Sequence, residues 1–267
     1  GGGKGGAFSF GKSKARMLDE STNTVTFADV AGCDEAKEEV KEVVDFLKDP
    51  SKFHKLGGRI PRGLLLVGPP GTGKTAYGRW LAEQLGIPLL IKRASDLMSM
   101  WVGENEKNIA RAFRQADQDG ALLLIDEVDS FLQDRRGAQR GWEVSMVNEM
   151  LTQMESFSGV FIASTNLMTG LDQAALRRFD LKVKFDFLRP EQAWELVHRY
   201  CKQLQLSAPQ PDLLTRTMRL ERLTPGDFAA VLRQHRFRPI ESPATLISAL
   251  EAECAVKEGG KASIGFL

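Results

Sequence analysis

Short apolar segments alternate with amphipathic segments along the middle of the chain. The apolar segments have the length and aliphatic content of buried strands, and the segments between them repeat apolar residues at helical spacing. Such an alternation predicts a parallel sheet covered by helices on both faces. The predicted strands are 64–67, 87–92, 121–125, 160–164 and 181–187, and the predicted helices are 34–48, 104–118 and 142–154, with another helix after a glycine-rich turn at 68–75.

The two ends of the chain differ from this middle part. Residues 1–20 open with five glycines in six positions. A segment with so few apolar side chains cannot offset its ordering entropy, which predicts a flexible leader or simply a mobile terminus with no task. After Pro190 the strand pattern stops, and four helical patterns follow at 191–204, 212–220, 225–233 and 243–257. We therefore expect a leader at 1–22, an α/β core at 23–189 and a small all-helical lid at 190–267.

Composition narrows the classes of function. The 267 residues contain 36 Lys and Arg against 35 Asp and Glu, and the net charge of +1 disfavours a dedicated nucleic-acid binder. The longest aliphatic runs are too short to span a bilayer, so no membrane segment is expected in this chain. Three cysteines without a C-x-x-C pair, and no H-E-x-x-H motif, argue against a disulfide framework, a zinc ribbon and zinc-protease chemistry. A reducing, cytoplasmic location is expected.

A phosphate-binding motif follows the first predicted strand. Residues 68–75 read Gly-Pro-Pro-Gly-Thr-Gly-Lys-Thr, which matches G-x-x-x-x-G-K-[ST] between a strand and a helix. The glycines allow backbone N–H groups to turn inward around a phosphate, and the helix N-terminus adds partial positive charge. Lys74 is expected to reach the β- and γ-phosphates, and Thr75 to ligate Mg²⁺. The predicted nucleotide contacts are Pro70, Gly71, Thr72, Gly73, Lys74, Thr75 and Ala76.

An acidic pair follows the third predicted strand. Asp126 and Glu127 come at the carboxyl end of a buried strand, where open α/β sheets bind ligands. Asp126 is expected to hold the Mg²⁺ shell, and Glu127 to accept a proton from the attacking water. Two carboxylates in this position could instead cap a helix, but the phosphate-binding motif favours a joint site for ATP or ADP with Mg²⁺.

These residues resemble those of the AAA+ ATPases, and more closely the AAA subgroup of protein-unfolding hexamers. The resemblance covers nearly everything from 26 to 255. Residues 1–75 are very similar to the FtsH proteases, whereas from Ala76 onward the chain is similar to soluble bacterial AAA ATPases that lack a protease domain. This change fits either a recombined or engineered chimera or a divergent natural protein. The motifs that carry the resemblance are 27–32, 68–75, 101–103, 124–129, 164–166 and 177–180.

The resemblance implies a P-loop NTPase fold, with a five-stranded parallel sheet between helices and a small helical lid after it. It implies that Asn166 orients the hydrolytic water and that Arg177 and Arg178 act as arginine fingers on a neighbouring subunit's nucleotide. An arginine supplied in trans offsets charge on the γ-phosphoryl oxygens, so a homo-oligomer is implied, a hexamer in this family. FtsH chains separate the two arginines by Pro-Gly, and their adjacency here leaves open which one reaches the phosphate. Without the resemblance, Asn166 would be interpreted as a turn former at the end of a strand, and Arg177 and Arg178 as a solvent-exposed pair.

The resemblance also implies contacts with the base and with a protein substrate. Trp101 and Val102 lie where the family places a pore loop that grips an extended chain, the alternative being a buried core tryptophan. Pro225-Gly226-Asp227 matches a lid turn that faces the ribose and adenine and is usually Gly-Ala-Asp. Glu155-Ser156-Phe157 loosely matches a stretch that signals between subunits. FtsH relatives are anchored in the inner membrane and face the cytoplasm. The residues implied around the nucleoside are Val30, Ala31, Gly32, His198 and Gly226, although a lone helical histidine is often structural.

The function expected from these features is ATP hydrolysis by a ring-forming AAA ATPase that remodels or unfolds protein substrates. One alternative is an ATP-binding scaffold with little or no turnover. A nucleic-acid remodeller is disfavoured by the neutral charge, and no specific nucleic-acid partner is expected. Gly78, in the helix after the phosphate-binding motif, is expected to cost up to about 1 kcal/mol relative to alanine, and the sequence offers no reason for it.

Overall fold

The computed structural model describes residues 44–45, 48–49, 63–99, 101, 103–132, 141–167 and 169–262. The predicted leader at 1–22, the predicted adenine contacts at 30–32 and Val102 of the predicted pore loop lie outside these ranges. In the predicted helix at 34–48, the three described residues (44, 45 and 48) are all helical. Contacts between residues divide the described chain into two compact units.

The first unit contains residues 74–184 and the described residues up to 68, and a parallel sheet forms its centre. The strands are β1 (Gly63–Val67), β2 (Leu89–Arg93), β3 (Leu122–Asp126), β4 (Phe161–Thr165) and β5 (Leu181–Lys184). Their order in the sheet is β2-β3-β4-β1-β5, so β1 lies between β4 and β5. The register pairs Leu64 with Ile162 on one side and with Leu181 on the other. Because all the strands are parallel, their carboxyl ends share one edge of the sheet.

Two strand boundaries predicted from the sequence are wrong. β2 begins at Leu89 rather than at residue 87, because the N–H of Ile87 closes the preceding helix on the carbonyl of Ala82 (3.1 Å). β5 ends at Lys184 rather than at residue 187, because the N–H of Phe187 donates to the carboxylate of the residue before it (2.8 Å). The predicted five-stranded parallel sheet is confirmed.

Helices of the first unit connect the strands. They are α1 (Lys74–Leu85), α2 (Ala94–Leu97), α3 (Glu104–Asp119), α4 (Asp129–Leu132), α5 (Gly141–Ser156) and α6 (Gln173–Leu176). α1 packs against β2, β3 and β4, whereas α3 packs against β3 and α5. The ring centroid of Phe113 on α3 lies 4.9 Å from that of Phe161 and 5.4 Å from that of Phe157. The apolar residues of α3 at helical spacing are buried, and they are Ile109, Ala112, Phe113 and Ala116.

The second unit contains residues 69–73 and the chain from 185 onward. Its helices are α7 (Pro190–Gln203), α8 (Leu213–Met218), α9 (Pro225–Gln234) and α10 (Pro243–Ala262), which confirms the four predicted lid helices. Leu196, Val197, Phe228, Val231 and Ile247 lie in its apolar core. None of the helices among the described residues is long and apolar enough to cross a membrane.

Candidate nucleotide site

The phosphate-binding motif forms the connection between β1 and α1. The N–H of Gly68 donates to a carbonyl at the end of β4 (3.2 Å), which fixes the start of the loop. Gly71 and Gly73 have φ angles of 78° and 101°, which residues with a Cβ rarely adopt, so both positions favour glycine. The hydroxyl of Thr72 donates to the carbonyl of Pro69 (2.7 Å) and closes the loop on itself. The loop thus has the glycine-dependent turn that the motif predicts.

The first turn of α1 carries the polar end of the motif. Lys74 is buried, and its ammonium group donates to the carbonyl of Gly68 at the start of the loop. Thr75 and Ala76 follow it in the same turn and are half-buried, whereas Pro70 is exposed in the loop. The N–H groups of a first helical turn and its partial positive charge favour an anion. The start of α1 is therefore suited to bind phosphate.

The structure brings the two predicted magnesium ligands together. Thr75 Oγ1 lies 3.4 Å from Asp126 Oδ2, although 51 positions separate the two residues in the chain. The other carboxylate oxygen of Asp126 accepts a hydrogen bond from Ser164 Oγ on the neighbouring strand β4. A hydroxyl and a carboxylate suit Mg²⁺, which usually completes its shell with water and substrate phosphate. In the described ranges, no group of three or more His, Cys, Asp or Glu side chains is placed to hold a metal ion.

Glu127 has an unusual backbone conformation directly after β3. Its φ angle is 56°, in the left-handed region that non-glycine residues rarely enter. The N–H of Glu127 donates to Asp126 Oδ1 (3.0 Å) and lies 3.4 Å from Ser164 Oγ, and both contacts hold this conformation. The next residue, Val128, is fully buried, whereas the side chain of Glu127 is exposed. The turn thus buries Val128 and leaves the Glu127 carboxylate outside the core at the site edge.

Asp129 fixes the end of β4 beside this turn. Its Oδ1 accepts hydrogen bonds from the hydroxyl of Thr165 (2.8 Å) and from the N–H of Asn166 (3.0 Å). Asn166 therefore lies at the carboxyl edge of the sheet, next to the strand that ends in Asp126. No role was predicted for Asp129 or Ser164 from the sequence, although both lie in the motifs 124–129 and 164–166 that carry the resemblance. The available signal was that both are polar residues next to the ends of adjacent apolar strands.

The two candidate arginine fingers differ in their surroundings. Arg178 Nε lies 2.6 Å from Glu155 Oε1 near the end of α5, and this hydrogen bond raises the pKa of the Arg178 guanidinium. Arg177 is exposed, and its side chain makes no hydrogen bond or ion pair with another residue in the described ranges. Within the described part of one chain, neither arginine forms a hydrogen bond or ion pair with Asp126. The loosely matched stretch at 155–157 thus supplies the partner of one arginine.

In the second unit, the turn that begins α9 lies against the phosphate-binding loop. We call residues 224–227 the lid turn. The N–H of Gly226 donates to the carbonyl of Gly71 (2.9 Å). A Cβ built on Gly226 would lie 3.0 Å from the Cα of Gly71, which is closer than most real contacts. Glycine in place of the family's usual alanine therefore permits this approach.

Two other predicted site residues, His198 and Trp101, form no hydrogen bond with the phosphate-binding loop in the described ranges. His198 on α7 is exposed, and its ring packs edge-on against Trp194 one turn earlier, with 4.8 Å between centroids. No hydrogen bond in the described ranges joins His198 to the phosphate-binding loop. Trp101 is 70% exposed, so it is not a core tryptophan. The backbone N–H of Trp101 donates to Ser99 Oγ (3.2 Å), and Ser99 Oγ donates to Glu104 Oε2 (3.0 Å). These bonds connect the segment to the start of α3.

Comparison with known proteins identifies relatives of this region. Residues 64–187 match the "ATPase family associated with various cellular activities (AAA)". The ATP-dependent zinc metalloprotease FtsH of Cupriavidus metallidurans is 52% identical over 193 residues, which covers 68% of this chain and 30% of that protein. The FtsH proteins of Photobacterium profundum and Haemophilus influenzae are each 48% identical, over 198 and 193 residues. These matches cover 68% of this chain and 28% and 30% of the respective relatives.

The extent of these matches bears on the chain's organisation. The chain spans 30% of the length of the first of these relatives. Because 68% of the chain is matched, the similarity to FtsH extends beyond the first 75 residues. A junction near residue 75 stays a prediction.

Proposed function

We propose that this chain hydrolyses ATP with Mg²⁺, because its residues 64–187 match the AAA ATPase family. The observation that carries the proposal is the 3.4 Å approach of Thr75 Oγ1 to Asp126 Oδ2. Glu127 follows Asp126 directly, and Asn166 follows the adjacent strand. A phosphate-binding loop, two oxygen ligands and an exposed carboxylate are the parts that metal-assisted phosphoryl transfer to water requires.

We assign substrate binding to the loop and the first turn of α1. Lys74 would offset the charge of the β- and γ-phosphates, and the turn at residues 70–73, with Ala76, would surround them through backbone groups. Thr75 and Asp126 would hold Mg²⁺, which when bound withdraws negative charge from the phosphate oxygens. Ser164 supports this assignment because its hydrogen bond fixes one oxygen of Asp126 and leaves the other directed to Thr75.

We assign the activation of water to Glu127 and Asn166. Glu127 would accept a proton as the water oxygen bonds to the γ-phosphorus and the bond to the ADP oxygen breaks. Asn166 would orient that water from the adjacent strand. The hydrogen bonds that Asp129 accepts from Thr165 and Asn166 support this role, because they limit the movement of the backbone that carries the amide.

We propose that the nucleoside end of ATP is bound by residues 30–32, Gly226 and His198. The contact of Gly226 with the phosphate-binding loop supports its part in this assignment. The assignments of His198 and of residues 30–32 rest on the family resemblance. The proposed organisation of the chain is a leader at 1–22, a nucleotide-binding core at 23–189 and a helical lid at 190–267.

We propose that hydrolysis requires a ring of subunits, a hexamer by resemblance to the family. Arg177 would then reach the nucleotide of the neighbouring subunit, because its exposed guanidinium has no ion-pair partner in the described part of its own chain. Arg178 would act through its ion pair with Glu155, which joins the segment before β5 to the end of α5. Under this proposal, Arg177 rather than Arg178 is the arginine finger.

We propose that the ring acts on protein chains through Trp101 and Val102. An exposed tryptophan two residues before a glycine can grip many sequences, since its apolar ring requires no particular partner. The matched relatives are named as ATP-dependent proteases, and the action of this chain on proteins is our proposal from that similarity. No specific nucleic-acid contact is part of this function.

A test of hydrolysis compares Glu127→Gln with the wild type. We expect the variant to bind a fluorescent ATP analogue within about threefold of the wild type, because glutamine keeps the size of the side chain. Phosphate release should fall by about a hundredfold or more, since glutamine cannot accept the proton. Glu195→Gln, an exposed position on α7, is the matched control and should leave both quantities unchanged. Tight binding by the wild type without phosphate release would instead support the ATP-binding scaffold.

A further inference from the structure

The lid turn touches the phosphate-binding loop at Gly71. Besides the hydrogen bond from Gly226 to Gly71, the hydroxyl of Thr224 lies 2.9 Å from the position that a Cβ on Gly71 would occupy. Thr224 is 1% exposed, so its hydroxyl is enclosed at this contact. Any displacement of the lid turn would therefore change the environment of the loop that is proposed to bind phosphate.

A buried carboxylate organises the lid turn. Asp227 is 5% exposed, and its Oδ2 accepts hydrogen bonds from the N–H of Thr224 (2.9 Å) and from its hydroxyl (3.2 Å). In return, the N–H of Asp227 donates to the Thr224 hydroxyl (3.3 Å), which completes a capping box at the start of α9. The conformation of Thr224 therefore depends on the position of the Asp227 carboxylate.

The ion-pair partner of this carboxylate is Lys257, on the last helix of the second unit. The ammonium group of Lys257, on α10, donates to Asp227 Oδ2 and also to the carbonyl of Arg222 (3.0 Å), two residues before the turn. Burying a carboxylate is costly unless a charge or hydrogen bonds compensate it. Lys257 thus fixes both the carboxylate inside the turn and the backbone that leads into it.

We propose that Lys257 and Asp227 are positioning residues that hold the lid turn on Gly71 and thereby set the affinity for the nucleotide. The inference rests on the proposed ATP site and adds a connection to it. Neither residue needs to touch the nucleotide, because the effect passes from Lys257 through Asp227 and Thr224 to the loop. The position of α10 and the occupancy of the phosphate-binding loop become coupled, and the coupling acts in both directions.

A second ion pair on the same helix provides a matched control. Arg216 on α8 donates to Glu251 and to Ser248 (3.0 Å) on α10. Like the Lys257 pair, it joins α10 to another helix segment of the second unit and keeps its basic side chain about one-third exposed. In the described ranges, Arg216 makes no hydrogen bond with the lid turn. Its loss should lower lid stability without a specific effect on the loop.

The experiment measures the affinity for mant-ADP in the full chain with Lys257→Met, Lys257→Arg and Arg216→Met. Lys257→Met keeps the side-chain length but removes the charge and the donors, and we expect binding to weaken about five- to tenfold. Lys257→Arg should recover most of the affinity, because it restores a donor to Asp227. Arg216→Met should remain within about twofold of the wild type. In hydrolysis assays, Lys257→Met should raise the KM for ATP and leave most of kcat.

The outcomes separate this inference from the proposed function. If the wild type does not bind mant-ADP, the proposed ATP site is wrong and the inference fails with it. If the wild type binds and Lys257→Met binds equally well, the inference alone is overturned. Equal weakening by Lys257→Met and Arg216→Met would also overturn it, because the effect would then follow general lid stability. Thermal unfolding of each variant by circular dichroism shows that the compared chains are folded.

Discussion

Gly78 offers a test of how closely α1 packs on the sheet. It is a buried glycine in the interior of α1, where glycine is unfavourable. A Cβ built there would lie 3.5 and 3.7 Å from the two methyl carbons of Leu124 on β3, and 3.9 Å from Cδ1 of Ile162 on β4. These are ordinary van der Waals distances. The structure therefore predicts that an alanine fits without movement of the neighbouring strands.

The expected size of the effect follows from two terms. Replacement of a helix-interior glycine by alanine stabilises the helix by up to about 1 kcal/mol. Burial of the added methyl group would contribute about 0.8 kcal/mol at most to the free energy of unfolding, because the glycine already lies against the strands and little new surface is removed from water. We therefore expect Gly78→Ala to raise the free energy of unfolding by about 1 kcal/mol, which corresponds to about 2–4 °C in Tm for a chain of this size.

Thermal unfolding followed by far-ultraviolet circular dichroism measures this change. Gly86→Ala is the control, because it makes the same substitution just after the same helix but at a φ angle of 65°. No atom lies within 4 Å of the position that its methyl group would occupy, so the backbone conformation alone should destabilise it, by about 1 kcal/mol. Opposite signs for the two variants are expected. A loss of about 1 kcal/mol or more in Gly78→Ala would refute the packing distances between α1 and the sheet.

Three further predictions concern the candidate arginines, the lid turn and a buried thiol. Arg177→Ala should lower kcat by about a thousandfold, whereas Arg178→Ala should lower it less. Steady-state phosphate release measures both variants, and the reverse order of their kcat values would contradict the assignment of Arg177 as the finger. Gly226→Ala should weaken mant-ADP binding several-fold, because the new methyl group would lie 3.0 Å from a backbone atom of Gly71; unchanged binding would show that the contact is looser. Burial raises the pKa of the Cys201 thiol above its ordinary value, so the folded state holds this proton more tightly than the unfolded chain does. The contribution of this thiol to stability is present below pH 9.0 and is lost as the pH rises through the folded pKa. In urea unfolding, the free energy of unfolding of Cys201→Ala should therefore decline less above pH 9.0 than that of the wild type. Equal declines would contradict the effect.

The sequence predicted the features whose signals are local. The phosphate-binding motif predicts the loop directly from its residues. The apolar run before Asp126 predicts a buried strand and places Asp126 at the carboxyl end of that strand. Because parallel strands end at one edge, the proximity of Thr75 and Asp126 could be expected before any distance was known. The exposure of Trp101 was expected only from the family resemblance, because a tryptophan beside apolar residues is by pattern alone also compatible with a core.

The remaining features depend on contacts between distant parts of the chain. The hydrogen bond from Ser164 to Asp126 follows from the pairing of β3 with β4, which no period in the sequence specifies. Lys257 and Asp227 are 30 positions apart on two helices, and their spacing carries no motif. The end of β5 was misplaced because the apolar and polar alternation continues after the backbone has left the sheet. The pattern of apolar and polar residues predicts the helices and strands, whereas strand register and side-chain partners determine the geometry of the site.

ATP turnover per chain, measured against protein concentration, tests the central claim most directly. Each subunit is proposed to complete its neighbour's site with Arg177, so the rate per chain should rise with concentration as rings form. The rise should vanish in Glu127→Gln, which can assemble but cannot accept the proton from water. A rate that stays flat and near zero across the concentration range, with ATP tightly bound, would contradict the claim and leave an ATP-binding scaffold.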